Sequence, residues 1–573
     1  MEERKTVRID FGEKRLAALA DKYYNEGNYF SALKCAYKQY ELYGGDGDVF
    51  TRFADIYEGM GLHLSAINWW YRFLDIAEED DLPDIYEGLA VNYLNMGNET
   101  QSAYYYNKLI DADETLPEET KWEILNAFSK DKRSRFRFVY PPRLADYSKE
   151  LEFGSKALKS GNCKAAIAVL DAVAKGSRDY AAAKEMQAVA YLLSGELNEA
   201  ERVCKELLED IPDDTRVLAT LAAVYLEQGR EAESREIALD LYRLQQDDTD
   251  DLYKVATVCC ENGLHREAYE KFTLLEKKLP FDGRMLYFKA VSAYKSGLLE
   301  EAEKAFDTLC TVYPDAEVAK YYLKALRLRD ENGISEADEP TYFYHLSQEE
   351  REARCRSLIH IGKCSRDEAQ LFGLIALHDG YFNWCFDEMD GEDHDLQYLA
   401  LVTAEHVRAD GFLKEALLDA EVADVLKIET LRLLYLRNED IEVGLTLCHI
   451  YRKVRLSRIR IGRKKRRRFL EGYATIASKF VVVNDAYGAR LCEAAEKLYA
   501  ALEQYERLEL IEKAEDCACA LYLFCGLKEF GNDIDAIAGA FDADATRVRN
   551  IIKAASGEDM QVNENEVKTD EAD

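Results

Sequence analysis

The side chains able to do chemistry in this sequence are cysteines, a few histidines and one dense run of cations. Fourteen cysteines are spread over 573 residues, and the only close pairs are Cys259-Cys260 and Cys517-Ala518-Cys519. No Cys-x-x-Cys occurs, and no Cys/His group has the spacing of a zinc site. His378, His394 and His406 share a stretch with Asp379, Asp387, Asp390 and Asp395, at intervals that fit no metal motif. Glycine-rich phosphate loops, Gly-x-Ser-x-Gly, His-Glu-x-x-His and a Cys/His nucleophile pattern are missing. The residues therefore imply a protein that is not an enzyme and uses no cofactor or metal. Its thiols read as reduced and buried, as in a cytoplasmic protein.

The cations concentrate between Arg452 and Arg468, where 11 of 17 residues are basic. Such a density can neutralise phosphates, an acidic partner or the chain's own acid-rich helices. Arg463, Lys464, Lys465, Arg466, Arg467 and Arg468 are the candidate contacts. Net charge is −34, so most of the surface repels nucleic acid and anionic lipid, which favours a protein or internal contact over nucleic acid.

The elements that must position these residues are helical. Hydrophobic residues make up 48 %, too many for a disordered chain. All eight prolines lie at or before Pro340, which predicts helix throughout the remainder. The start, Met1-Glu-Glu-Arg-Lys, has no apolar stretch behind it and reads as no signal peptide. No apolar run is long enough to span a membrane.

A short signature recurs. Glycines stand at 27, 61, 97, 161, 195, 229, 263 and 297, spaced 34 residues apart in five of seven intervals. Seven residues before each lie Ala20, Ala54, Ala90, Gly154, Ala188, Ala222, Ala256 and Ala290. Five after lie Ala32, Ala66, Ser102, Ala166, Ala200, Ser234, Ala268 and Ala302. All are small. Large residues flank them: Tyr23, Tyr57, Tyr93, Tyr191 and Tyr225 four before, and Trp70, Tyr106, Phe272 and Phe306 nine after. Pro212, Pro280 and Pro314 fall where second helices should end. In period and pattern, residues 15 to about 325 resemble tetratricopeptide repeats, two antiparallel helices per unit. The resemblance implies that the two small sites face each other where paired helices cross. The expected fold is all-α: a tetratricopeptide superhelical solenoid followed by a second helical domain.

The 64-residue interval from Gly97 to Gly161 divides the array into three repeats, 15–116, and five, 147–328. Between them, 117–146 reads as one helix around Trp122 and an extended basic insert at 130–143 containing Pro141-Pro142.

Stacked repeats form a concave face lined mainly by first helices. In the family, a carboxylate clamp uses Lys, Asn and Arg there. This sequence has Ala17, Asp21, Thr51, Arg52, Asp55, Glu87 and Gly88, which makes no such clamp. In the second block Tyr253, Lys254, Tyr287, Phe288, Val291 and Tyr294 form an aromatic stripe. Such a stripe suits a peptide or helical segment of a protein partner, or packing within the chain. Leu192, Ala219, Ala223 and Leu226 continue it.

Residues 329–345 read as a linker, 346–450 as amphipathic helices in a HEAT-like arrangement, 451–470 as the basic segment and 557–573 as an acidic tail. Within the basic segment Arg458-Ile-Arg460-Ile alternates as a half-buried strand or hairpin would. In the helical stretch 471–556, residues 533–553 resemble a bacterial helix-turn-helix, as at the end of some bacterial tetratricopeptide proteins. Asp542-Ala543 would be the turn, Asp544 the cap of the second helix, and Arg547 and Arg549 outward. That resemblance supports an alternative to a scaffold or adaptor that binds proteins: a regulator touching nucleic acid through the basic segment and this end.

Overall fold

The structure, a computed structural model, describes residues 12–113, 115–127, 147–329, 339–388, 394–482, 485–527 and 533–556. It divides into two compact units, one made of 1–128 and 352–573, the other of 129–351. The basic Pro-Pro insert and the acidic tail lie outside the described residues.

Helix pairs of one design recur in both units. In the first they are Glu13–Asn25 with Tyr29–Tyr43, Gly47–Gly59 with His63–Ile76, and Leu82–Asn95 with Glu99–Ala112. In the second, five pairs run from Ser148–Lys159 with Cys163–Leu170 to Gly283–Lys295 with Leu299–Val312, followed by a single helix, Glu317–Leu328. Each recurring glycine is the turn within a pair. All eight adopt left-handed φ, from 65° at Gly263 to 78° at Gly195. The next residue's N–H then reaches back to the carbonyl four residues before the glycine, as Arg230 N does to Tyr225 O at 2.8 Å and Leu62 N to Tyr57 O at 2.9 Å. This closing bond of a Schellman turn fixes the spacing read in the sequence.

The sixteen small sites are all buried. Two report directly on their geometry. Ser102 Oγ donates to Ala90 O and Ser234 Oγ to Ala222 O, each at 2.8 Å, so the two sites meet across the helix pair. At Gly154 an added Cβ would lie 2.7 Å from Leu170 Cδ2. Trp70, Phe272 and Phe306 fill the space beside these contacts. Pro212, Pro280 and Pro314 follow the last residues of Leu197–Asp210, His265–Glu276 and Leu299–Val312.

The first unit corrects the expectation of unbroken helix beyond Pro340. Helices continue to Asp424–Leu436, and then Ile441–Leu447 (β1) and Ile450–Leu456 (β2) pair antiparallel, with Val443 opposite Val454. The strands are rich in β-branched and aliphatic residues, and Val443, Leu445, Val454 and Leu456 are buried. Absence of proline had permitted helix without requiring it. The two-residue turn, Cys448-His449, has φ of 49° and 59°, the left-handed pair that a tight hairpin needs. The alternation expected to form a strand at Arg458–Ile461 lies past β2. There Ile459 is buried and pinned by Asn438, whose side chain accepts from Ile459 N at 2.8 Å and donates to Ile459 O at 3.0 Å.

The hairpin is clasped by the first repeat block. Tyr71 and Tyr105 hydroxyls both donate to His449 O, at 2.8 and 3.0 Å, and Gln101 Nε2 donates to Cys448 O at 3.3 Å. Tyr451 Oη donates to Asp75 Oδ1 at 3.0 Å. From the other side Lys427, buried, donates to Thr446 O and Oγ1 at 2.9 and 2.8 Å. Burial lowers its pKa to about 8.

Two substitutions test the crossing geometry. Ala222→Leu should destabilise its repeat by about 1–3 kcal/mol through overpacking, and Gly229→Ala by about 1–2 kcal/mol through the left-handed turn. Amide exchange across Thr215–Glu227 should accelerate in both, while Leu193→Ala, at an exposed position, should leave it unchanged.

Candidate protein-binding grooves

In the second unit the groove follows from the repeat. Thr249–Glu261 and Gly283–Lys295 are first helices of successive pairs and set Tyr253, Phe288, Tyr287, Val291 and Tyr294 side by side. The stripe is not an open surface. Residues 339–346, the end of the stretch read from sequence as the 329–345 linker together with Leu346, lie along it. Tyr287 Oη is 2.9 Å from Thr341 O and 3.0 Å from Phe343 O, and Tyr322 Oη donates to His345 O at 2.8 Å. The Tyr344 ring meets Tyr287 edge-on with centroids 4.8 Å apart, and Tyr342 lies 6.1 Å from Phe288. Tyr342 Oη is 2.9 Å from His265 Nδ1, and Lys295 Nζ sits 5.9 Å above the Tyr342 ring. The buried Leu346 ends the segment.

Tyr287 and Val291 are buried, and Tyr287 is covered from within the chain, the second of the two readings of the stripe. Phe288, Tyr253 and Tyr294 stay half-buried, with the Tyr253 ring edge-on to Phe288 at 6.2 Å. The phenols of Tyr253 and Tyr294 are pushed up to about 12 by burial, with Glu339 adding to the rise at Tyr294. Lys254 turns instead to Glu185, 3.5 Å away. Leu192, Ala219, Ala223 and Leu226 are half-buried. Sequence reasoning missed Tyr342, Tyr344, Tyr322 and His265. The available signal was Tyr342-Phe343-Tyr344-His345 itself, too aromatic for a solvated linker.

The groove of the first block is open and acidic. It measures about 790 Å³ and is walled by Asp21, Asp46, Asp48, Asp55, Glu78, Asp81 and Asp84. Its arginine, Arg52, is already bonded to Asp21 at 2.7 Å. Burial raises Asp55 from the ordinary 3.8 to about 6, and nearby Glu58 adds to it.

The cationic candidates are divided. Lys465 pairs with Glu509 at 3.2 Å, Arg467 with Glu471 at 3.1 Å, and Arg468 donates to Glu512 O at 2.8 Å. Arg463, Lys464 and Arg466 make no ion pair among the described residues. At the C-terminal end, Ala514–Cys525, Ile534–Phe541 and Ala545–Ser556 pack together, Asp542 takes a left-handed φ of 54°, and Asp544 caps the last helix. Arg547 and Arg549 do not reach outward freely. Arg547 Nε is 2.6 Å from buried Asp516, which also accepts from Asp544 N at 2.8 Å, and Arg549 pairs with Asp535 at 2.5 Å. The last pairs thus fasten this helical end internally.

Helix pairs crossing at small residues, turned by left-handed glycines and repeated every 34 residues, define a superhelical repeat protein of the all-α class. Tetratricopeptide-repeat family models match residues 157–223, 191–257 and 261–317. The chain contains tetratricopeptide repeats. No curated protein matches it. Among solved structures, it is similar to yeast Tom70 at 13 % identity, covering 96 % of each chain with a TM-score of 0.27. It is also similar to a tetratricopeptide repeat protein from Parabacteroides merdae, at 13 % identity over 52 % of this chain and 98 % of that one, TM-score 0.21. A third is the TPR2AB domain of yeast Sti1 in its pHSP90 complex, at 15 % identity over 46 % and 98 %, TM-score 0.20. Among the described residues no helix is long and apolar enough to cross a membrane.

Because Asp55 has a folded-state pKa above its ordinary value, ionising it costs stability, a loss that builds as pH rises from 3.8 and is complete once pH has passed through about 6. Asp55→Asn should therefore raise the melting temperature at pH 8, on the order of 1 °C. The gain should vanish by pH 4, where the wild-type carboxyl is protonated when folded. Thermal scans at the two pH values check this.

Proposed function

We propose that this protein is a non-enzymatic scaffold or adaptor of the cytoplasm, whose second repeat block holds an extended, aromatic-rich segment of a protein partner. The observation that carries the reading is the seating of residues 339–346. Tyr287 and Tyr322 hold backbone carbonyls, while Tyr342 and Tyr344 pack on Phe288 and Tyr287. Carbonyl recognition suits any extended chain, and the ring pockets select aromatic side chains. A partner of that chemistry competes with the chain's own segment, which is present at high effective concentration. The acidic first groove disfavours acidic tails as partners. Cytoplasmic residence is supported by the buried thiols of Cys204, Cys259, Cys260, Cys385, Cys517 and Cys519, which form no disulfide.

A synthetic peptide of residues 339–346 is the probe. The double variant Tyr342→Ser/Tyr344→Ser should open the groove and bind this peptide at least tenfold more tightly than the wild type does. Adding Tyr287→Ala should lose that gain. An opened variant that keeps its helicity but ignores the peptide would dismiss the groove as a binding site.

A further inference from the structure

Helix Arg366–His378, in the first unit, is packed inside out. Its buried side is made of small residues, Ala369, Gly373 and Ala376. Gly373 lies so close to the helix Asp395–Val407 that an added Cβ would fall 2.6 Å from Val407 Cγ1. Its large residues point the other way. Leu371, Phe372, Leu374, Ile375 and Leu377 are 42–65 % exposed. A soluble helix normally buries such side chains and exposes small or charged ones. Here the bare apolar area is on the order of 500 Å², at the upper end of what a monomer leaves uncovered.

The pattern along the exposed stripe indicates the occupant. At about 100° per residue, Asp367, Leu371, Leu374, Ile375 and His378 lie on one line, opposite the small residues. No charged residue interrupts it between Glu368 and His378. One end of the line is a carboxylate and the other an imidazole. His378 is 88 % exposed in its side chain, with Nδ1 3.2 Å from Asp379 and Nε2 turned away from that contact. We infer that this face is the seam of a two-fold homodimer, with helix Arg366–His378 packed antiparallel on the same helix of a second copy. A two-fold axis between Phe372 and Gly373 sets Leu371 of one copy against Leu374 of the other. The same axis sets Asp367 against His378 at both ends. Self-complementarity of this kind is what an isologous contact requires. The stripe with its flanking Phe372 and Leu377, about 500 Å² from each copy, gives at most roughly 1,000 Å² in total, the lower limit for a specific interface, so the dimer is a weak and reversible one.

Sedimentation equilibrium of the full chain at pH 7 tests the inference. Wild type should show a monomer–dimer equilibrium, and Leu371→Glu/Leu374→Glu should weaken it at least 100-fold with unchanged far-ultraviolet circular dichroism. These positions are exposed, so the fold survives the change. His378→Asp alone should weaken the dimer about tenfold by facing Asp367, and adding Asp367→Arg should restore it. A wild type that stays monomeric at 100 µM overturns the inference, whatever foreign protein the face retains. So does a dimer indifferent to Leu371→Glu/Leu374→Glu, and failure of the charge exchange to rescue overturns the antiparallel seam.

Discussion

Close approach of paired helices is the constraint on which the rest of this protein rests. Where Ala222 meets Ser234, or Ala90 meets Ser102, two backbones come near enough for a side-chain hydroxyl to bond the facing carbonyl. Any larger residue would push the pair apart and tilt every later repeat, because each repeat is positioned by its neighbour. The left-handed glycine belongs to the same constraint. It reverses the chain within three residues, so the second helix starts already beside the first. Aromatic rings are then set by the pair, and the concave faces follow.

The grooves and flanks so made are used within the chain. In one unit Tyr287 and Tyr322 hold the carbonyls of an extended segment. In the other Tyr71 and Tyr105 hold the carbonyl of a hairpin turn. A phenol is well suited to this task. It brings a large apolar face and a single donor, and it loses little side-chain entropy on ordering. Both clasped segments present irregular backbone whose carbonyls would otherwise be buried without a donor.

The repeat array was legible because its signal is redundant: glycine, two small sites and terminal proline all report one crossing. Gly154 kept the small-residue rule even where alanine was absent. The hairpin was not legible, because Ile441 to Leu456 has neither an Asn-Gly nor any other familiar turn pair. Cys448 and His449 accept left-handed backbone only with the help of Tyr71, Tyr105 and Gln101, residues more than 340 positions away. The aromatic stripe was found, but not its cover. Periodicity identifies which side chains face inward and says nothing of which distant segment lies on them. Likewise the arginines at 547 and 549 carried the right spacing for a surface role, and Asp516 and Asp535 claimed them. That competition depends on three-dimensional neighbours.

The bond from Tyr71 to His449 spans 378 positions of chain. During synthesis at about 5–20 residues per second, roughly 20 to 75 seconds separate the emergence of the phenol from that of its carbonyl. For that interval the first three repeats exist as a nascent solenoid with an unfinished flank, its tyrosines hydrated rather than bonded. Contacts of such long sequence separation form late. The order of translation thus leaves the amino-terminal repeats without their final contacts until the hairpin has emerged, although they are made before the rest of the first unit.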